Sequence, residues 1–220
     1  MTDHPTSPAS PPAGAQIDWY FDFISPFAYL QWQRLRREAP SFLIQPHPVL
    51  FAGLLKHWDN KGPVEIPPKR GWTYAHCLWI AHRHHIAMRL PSRHPFNPLP
   101  LLRLSIALNN SPEVVDRLFR FVWQEGHLPD ESTHWNSLLD ELCVRDEALQ
   151  SNEIKARLIA NGEAAIAAGV FGVPTAVVNA QCFWGVDATD MLIAFVKNDA
   201  FFSSAEWQSA YLLPEGAQRR

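Results

Sequence analysis

Residues 17–30 form the stretch that most constrains how this chain can fold. Apolar side chains occupy every second position from residue 17 to residue 23, which is the period of a strand with one face in a core. Ser25 and Pro26 follow, and this pair is typical of a helix start, because serine accepts a free backbone N–H and proline needs none there. The stretch therefore predicts a strand that delivers one hydroxyl to the N-terminus of a helix.

Ser25 has two interpretations at this point. The hydroxyl can simply cap the helix, and the local sequence taken alone favours that role. The unpaired N–H groups and the dipole of the helix also favour negative charge beside the hydroxyl, so the same position suits an anionic ligand atom.

The order of the predicted elements indicates an α/β fold in one interrupted domain. A second strand over 42–50 completes a strand–helix–strand unit with a parallel pair and a right-handed crossover. Apolar residues at helical spacing then continue from about 52 to 165. Strands over 174–178 and 182–184 have hairpin spacing, and residues 187–190 resemble a capping box at the start of a last helix.

Composition argues against several kinds of protein. The formal net charge of -3 gives no electrostatic case for a nucleic-acid partner. Residues 1–15, rich in Pro, Ser and Ala, predict a disordered tail rather than a secretory signal, and the most apolar stretch, 164–178, is too short to span a bilayer. The three cysteines form no Cys-x-x-Cys, so no disulfide scaffold or dithiol redox pair is indicated. We therefore expect a cytoplasmic protein without a membrane or nucleic-acid partner.

Histidines are frequent between residues 76 and 94, but no acidic or cysteine ligand accompanies them at zinc spacing. A solvated basic helix face accounts for them, so no metal site is predicted. Cys77 and Cys143 lie on apolar helix faces and are predicted to be buried thiols.

The hairpin is preceded by a second informative stretch, residues 171–175, which reads Phe-Gly-Val-Pro-Thr. With the strand–helix–strand unit before it, this stretch resembles the thioredoxin superfamily, whose proline there is cis. The resemblance implies a thioredoxin-like domain over residues 16–50 and 166–220, interrupted by an all-helical insertion over residues 51–165. Redox members carry Cys-x-x-Cys at the first helix, whereas residues 25–28 read Ser-Pro-Phe-Ala here, so no disulfide chemistry can occur there.

The chain more closely resembles the 2-hydroxychromene-2-carboxylate isomerases and their relatives, the kappa-class glutathione transferases. Residues 21–30 carry the resemblance, and residues 55–63 are similar to a Lys…Asn segment of that group. Residues 123–128 resemble its Trp-x-Glu-Gly element, and residues 170–175 with 184–187 resemble its glutathione-site end. The resemblance covers about residues 17–197.

This resemblance implies a glutathione site. Ser25 would hydrogen-bond the glutathione sulfur and, with the helix N-terminus, favour thiolate over thiol. Val173, just before Pro174, would pair with the cysteinyl backbone of the tripeptide, and Asp187 would receive its γ-glutamyl ammonium. Asp187 also fits a plain helix N-cap, and Asn60 also fits a solvated loop. The implied cofactor-binding set is Ser25, Asn60, Val173, Pro174, Trp184, Gly185, Val186 and Asp187.

The implied activity is glutathione-dependent cis–trans isomerisation of an aromatic conjugated keto acid by reversible thiolate addition. Lys56 would suit the substrate carboxylate, unless it lies in a solvated loop, and Trp72, Trp79 and Phe96 would supply aromatic walls. The group commonly has Tyr-x-x-x-Asp where this chain has Trp72 and His76, so the substrate itself stays open.

Two other functions fit the same sequence. One is a kappa-like glutathione transferase, and the other is a thioredoxin-like binding module that has lost catalysis. The resemblance also implies a homodimer, because the relatives are typically dimers.

Overall fold

The computed structural model describes residues 16–214 and Gly216. Four strands form one mixed sheet in this part of the chain, in the order β2-β1-β3-β4. β1 pairs in parallel with β2 and antiparallel with β3, and β3 and β4 form the hairpin. The bounds are Gln16–Phe21 for β1, Leu43–Pro48 for β2, Thr175–Val178 for β3 and Gln181–Trp184 for β4. The predicted strand–helix–strand unit and hairpin are both confirmed.

Nine α-helices surround this sheet within the described residues. α1 joins β1 to β2, six helices lie between β2 and β3, and two follow β4. The bounds are Pro26–Glu38 for α1, Phe51–His57 for α2, Pro67–Arg83 for α3, Leu99–Ala107 for α4, Pro112–Trp123 for α5, Ser132–Glu141 for α6, Asn152–Ala167 for α7, Thr189–Val196 for α8 and Ala205–Ala210 for α9. None of these helices is long and apolar enough to cross a membrane.

The predicted fold class, a thioredoxin-like α/β fold with a helical insertion, is confirmed by this architecture. The domain boundaries at residues 50 and 166 stay a prediction. The predicted disordered tail, residues 1–15, lies outside the described residues.

β1 lies at the centre of the core. Trp19 and Phe21 are fully buried, and both rings contact Phe119 of α5, with centroid distances of 6.1 and 5.5 Å. The sequence pattern predicts one buried face, but Tyr20 on the opposite face is also only 6% exposed, because it packs in a second cluster that includes Val170. The end of β1, which leads to Ser25, is therefore held from both sides of the sheet.

Candidate active site

A cavity of about 750 Å³ opens between the N-terminus of α1, the β3–β4 hairpin and the helices that follow β2. Ligand sites commonly have volumes of roughly 300–1,000 Å³. The predicted site residues that line it are Ser25, Asn60, Phe96, Val173, Trp184, Gly185, Val186 and Asp187. The fold therefore brings together side chains from distant parts of the sequence, while their roles remain a proposal.

Ser25 lies where the end of β1 turns into α1. Its Oγ accepts a hydrogen bond from the N–H of Ala28 at 3.2 Å, so it caps the helix as the sequence predicts. The residue is 7% exposed and also lines the cavity. Capping uses a lone pair of the oxygen and leaves the hydroxyl proton available for donation. The two interpretations of Ser25 are therefore compatible.

Val173 and Trp184 form the cavity wall at the hairpin. The ladder between β1 and β3 reaches Thr175, so Val173 lies just beyond it. The Val173–Pro174 peptide bond is cis, and Pro174 is buried without lining the cavity. The Trp184 indole lies so near Gly172 that a Cβ there would come within 2.5 Å of the indole nitrogen. Glycine at this position therefore permits the close contact that shapes this edge of the cavity.

The turn over residues 185–187 is held from behind by α1. Gln31 Nε2 donates to the Gly185 carbonyl at 2.7 Å, and Gln31 Oε1 accepts from the indole N–H of Trp19 at 2.8 Å. Gln31 and Trp19 are both fully buried. These bonds fix the turn from the protein side, whereas Asp187 is exposed and lines the cavity.

Asp187 is not a helix N-cap, so that alternative interpretation is wrong. α8 begins at Thr189 without a side-chain cap, because a 3-10 turn over Val186–Ala188 comes between them. Asp190, the expected partner in a capping box, forms an ion pair with Arg34 of α1. The carboxylate of Asp187 is thus left at the cavity.

We expect the substitution Gln31→Leu to lower the free energy of unfolding by roughly 1–3 kcal/mol. The buried indole N–H of Trp19 loses its partner, whereas the Gly185 carbonyl, which is only partly buried, still accepts from the N–H of Ala188 at 3.2 Å. Urea unfolding of the purified variant measures the loss. Gln33→Leu on the same helix is the control, since Gln33 bonds only the half-buried Asp116 among the contacts described. Equal losses of stability in Gln31→Leu and Gln33→Leu would contradict a role for the buried hydrogen bond between Gln31 and Trp19.

Lys56 and Trp72 do not line the cavity, so their contact with a substrate stays a prediction without support from the cavity wall. Lys56 is exposed on α2, where the neighbouring Leu55 faces the cavity instead. Trp72 is 68% exposed and stacks on His76 at 5.6 Å. Trp79 is also absent from the wall and is 59% exposed.

Three other residues of α3 meet the cavity. Lys69, Thr73 and His76 all line it, and their spacing of four and then three residues places them on one side of the helix. Trp72 and Trp79 lie at the edge of this side, four residues before and three residues after His76. Lys61, from the segment before α3, is a further cation of the wall.

Asp22 and His94 also line the cavity, and neither was identified from the sequence. Asp22 is fully buried, and this burial raises the pKa of its carboxyl to about 7 although backbone N–H groups lower it. Its two oxygens accept from the N–H groups of Ile24 at 3.0 Å and Phe51 at 2.9 Å. Burial, the largest cause, lowers the pKa of His94. The sequence signals the site role of Asp22 only by placing this acidic residue between two buried apolar ones, Phe21 and Phe23.

Three side chains of metal-binding type lie together outside the cavity lining. The ligand atoms of His127, Glu131 and His134 are all within 4.8 Å of one another. The two imidazoles are stacked, with centroids 3.6 Å apart and planes 18° from parallel. Imidazole binds a metal in its own ring plane, so nearly parallel rings do not converge on one ion. The absence of a metal site stays a prediction.

Comparison with known proteins gives the family. The model of the DSBA-like thioredoxin domain matches residues 16–197. The chain belongs to this family. It is 29% identical over 186 residues to a 2-hydroxychromene-2-carboxylate isomerase of Pseudomonas putida, which covers 80% of this chain and 91% of that protein. It is 27% identical over 176 residues to a glutathione S-transferase kappa 2 of Caenorhabditis elegans, covering 72% of this chain and 78% of that protein.

A solved structure is also similar to this DSBA-like chain. The structure of a 2-hydroxychromene-2-carboxylate isomerase superposes with a TM-score of 0.69 and 25% sequence identity, over 90% of this chain and all of the other. The resemblance inferred from the motifs is therefore confirmed.

None of the three cysteines of this DSBA-like chain lines the cavity that contains Ser25. Cys77 is buried as predicted, and burial raises the pKa of its thiol to about 12. Cys143 is exposed, so its predicted burial is wrong; it follows the end of α6 with a φ of 54° and leaves the helix face. Burial also raises the pKa of the Cys182 thiol. Neither Cys77 nor Cys182 has the lowered pKa of a reactive cysteine.

Proposed function

We propose that this protein is a glutathione-dependent cis–trans isomerase of an aromatic conjugated keto acid, of the 2-hydroxychromene-2-carboxylate type. The observation that carries the proposal is the position of Ser25, whose hydroxyl sits at a helix N-terminus on the wall of a mostly apolar-walled cavity. The isomerases and kappa transferases among the relatives support the same choice.

The residues of the cavity fit glutathione by their chemistry. The Ser25 hydroxyl donates to the sulfur, and the N-terminus of α1 lowers the pKa of the thiol by favouring its anion. The backbone of Val173, beyond the end of the sheet ladder, pairs with the cysteinyl backbone as an added strand does. The carboxylate of Asp187 receives the γ-glutamyl ammonium. The N–H groups of Val186 and Asp187 hold the γ-glutamyl carboxylate, since the N–H of Gly185 already donates to the Pro174 carbonyl at 2.9 Å. Asn60 closes the site from the segment between α2 and α3.

Bound glutathione would supply a thiolate that adds reversibly to the conjugated double bond, so that the bond becomes single, rotates and re-forms when the thiolate leaves. The residues of the cavity wall bind the substrate. Lys69 and Lys61 hold the substrate carboxylate, in place of the Lys56 expected from the sequence. Phe96 and Phe51 provide apolar surface for an aromatic ring.

We expect glutathione bound to the protein to ionise at a lower pH than free glutathione. Ultraviolet difference titration of the thiolate measures the pKa of the thiol, and S-methylglutathione, whose sulfur cannot ionise, is the control ligand. Isomerisation of 2-hydroxychromene-2-carboxylate, followed by absorbance with and without glutathione, tests the reaction. If the wild-type protein binds glutathione without lowering the pKa of the glutathione thiol, the proposed mechanism is wrong.

A kappa-like transferase is the second candidate, because a kappa transferase is among the relatives. Consumption of glutathione with chlorodinitrobenzene identifies it, since an isomerase regenerates glutathione and a transferase does not. The third possibility, a non-catalytic thioredoxin-like binding module, is favoured if calorimetry detects no heat with glutathione at millimolar concentration.

The homodimer and the cytoplasmic location remain proposals drawn from the resemblance and from composition. Sedimentation analysis of the full chain tests the dimer, and a monomer at all concentrations would contradict it.

A further inference from the structure

The first of the two peptide groups before Ser25 is held at both ends by side chains. This group joins Phe23 to Ile24. The Phe23 carbonyl accepts from the indole N–H of Trp123 at 2.8 Å, and the Ile24 N–H donates to Asp22 Oδ1 at 3.0 Å. Trp123 and Asp22 are both fully buried, and the bond between Trp123 and the Phe23 carbonyl is itself buried, where a hydrogen bond is stronger than in water.

The next peptide group, between Ile24 and Ser25, is held in the same way. The Ile24 carbonyl pairs with Nε2 of His94 at 2.8 Å, and the Ser25 N–H donates to the backbone carbonyl of Asp22 at 3.0 Å. His94 comes from the loop before α4 and Trp123 from the end of α5, and their rings are 5.5 Å apart. Two residues of the helical segment therefore orient both peptide planes that lead into Ser25.

The tautomer of His94 follows from its partners. A carbonyl oxygen only accepts, so Nε2 must carry the proton that bonds Ile24. Nδ1 lies 2.8 Å from the hydroxyl of Tyr74 on α3 and accepts a hydrogen bond from it when the ring is neutral. Burial lowers the pKa of His94, and the charge of Arg70, whose guanidinium donates to the His94 carbonyl, acts in the same direction. Both ring nitrogens thus have a partner, and the ring is fixed in one orientation.

We infer that His94 is a positioning residue for the proposed thiolate site: its bond to the Ile24 carbonyl fixes the peptide plane that aims the Ser25 hydroxyl at the glutathione sulfur. The inference rests on the proposed function. A hydrogen bond to a thiolate depends on direction, and a donor on a fixed backbone needs no reorganisation when the anion forms. His94 touches neither the sulfur nor the substrate in this role, because it acts through the backbone of Ile24.

Three substitutions at residue 94 separate this role from packing. His94→Phe keeps a ring and removes the donor. His94→Gln places an amide N–H near the position of Nε2, whereas His94→Asn is shorter and does not reach the Ile24 carbonyl. The last two variants lose the ring equally and differ in the one bond at issue, so they serve if His94→Phe does not fold.

Two measurements are made on each full-length variant. The first is amide exchange at Ser25 by NMR without ligand, and the second is the pKa of the thiol of bound glutathione. We expect His94→Phe and His94→Asn to speed the exchange about tenfold and to raise the thiol pKa by about one unit, a tenfold smaller ionisation constant. In His94→Gln, the exchange rate at Ser25 and the ionisation constant of the bound thiol should both return to within about threefold of wild type. S-methylglutathione should bind to all the variants with the same affinity.

Unchanged exchange at Ser25 in His94→Phe and His94→Asn would overturn the inference, as would equal losses in His94→Gln and His94→Asn. The exchange measurement needs no glutathione. A wild-type protein without a thiolate signal therefore refutes the proposed function alone, and the effect of His94 on Ser25 is still decided by exchange.

Discussion

Replacing Ser25 with alanine is expected to reduce isomerase activity roughly 10- to 150-fold and to raise the pKa of the bound glutathione thiol. The variant loses the hydroxyl that donates to the anion, and a hydrogen bond to a charged group contributes about 1.5–3 kcal/mol. The N-terminus of α1 remains and still favours the thiolate, so activity falls without vanishing. The thiol pKa is measured by ultraviolet titration and the activity by the change in substrate absorbance.

The chain offers a matched control for this substitution. Ser111-Pro112 starts α5 as Ser25-Pro26 starts α1, and Ser111 Oγ accepts from the Val114 N–H at 3.3 Å. Loss of either cap should cost about 0.5–2 kcal/mol of stability, but Ser111→Ala should leave the thiol pKa and the activity unchanged. If Ser25→Ala behaves like Ser111→Ala in all three measurements, Ser25 is a helix cap and nothing more.

The parts of the molecule that the sequence predicts well are those set by neighbouring residues. The alternation that ends at Phe23 and the Ser25-Pro26 pair are local signals, and β1 and the cap of α1 form where these signals place them. The hairpin is predicted for the same reason. The motif around Pro174 then identifies the fold, although only tertiary structure brings that motif near Ser25.

The direction of a helical side chain is harder to predict from the sequence. The prediction for Trp72 names the right helix, but Lys69, Thr73 and His76 line the cavity and Trp72 lies beside them, stacked on His76. On α2, the neighbouring Leu55 lines the cavity and Lys56 does not. The orientation of each helix follows from its packing against the rest of the core, which the periodicity of the sequence does not contain.

Bonds between distant residues are not visible in the sequence at all. His94 is seventy positions from Ile24, and neither residue has a pattern that points to the other. Asp187 shows a related difficulty, because a short 3-10 turn displaces it from the cap position that the spacing favours. The residues that arrange the candidate site are therefore less predictable than those that line it.

Asp22 is expected to make the protein lose stability as the pH rises from about 4 to about 7. Its folded-state pKa is raised from 3.8 to about 7, chiefly by burial, so the folded state holds a proton that the unfolded chain releases over this range. The resulting stability is fully present below about pH 4 and is lost as the pH rises through 7. At about 1.4 kcal/mol per pKa unit, the total change is on the order of 4 kcal/mol. Urea unfolding at closely spaced pH values measures it.

Asp22→Asn isolates this contribution, because the amide cannot ionise. Its stability should depend less on pH than that of wild type by about the same amount, although the new NH₂ group faces the N–H of Ile24 or Phe51 and lowers stability at acid pH by roughly 1–3 kcal/mol. The exposed Asp140 provides the control, and Asp140→Asn should leave the pH profile unchanged. The difference between the profiles of wild type and Asp22→Asn is the decisive quantity, because histidines titrate in both proteins. A constant difference from pH 4 to pH 8 would mean that Asp22 is ionised in the fold, and that its backbone N–H donors outweigh the cost of burial.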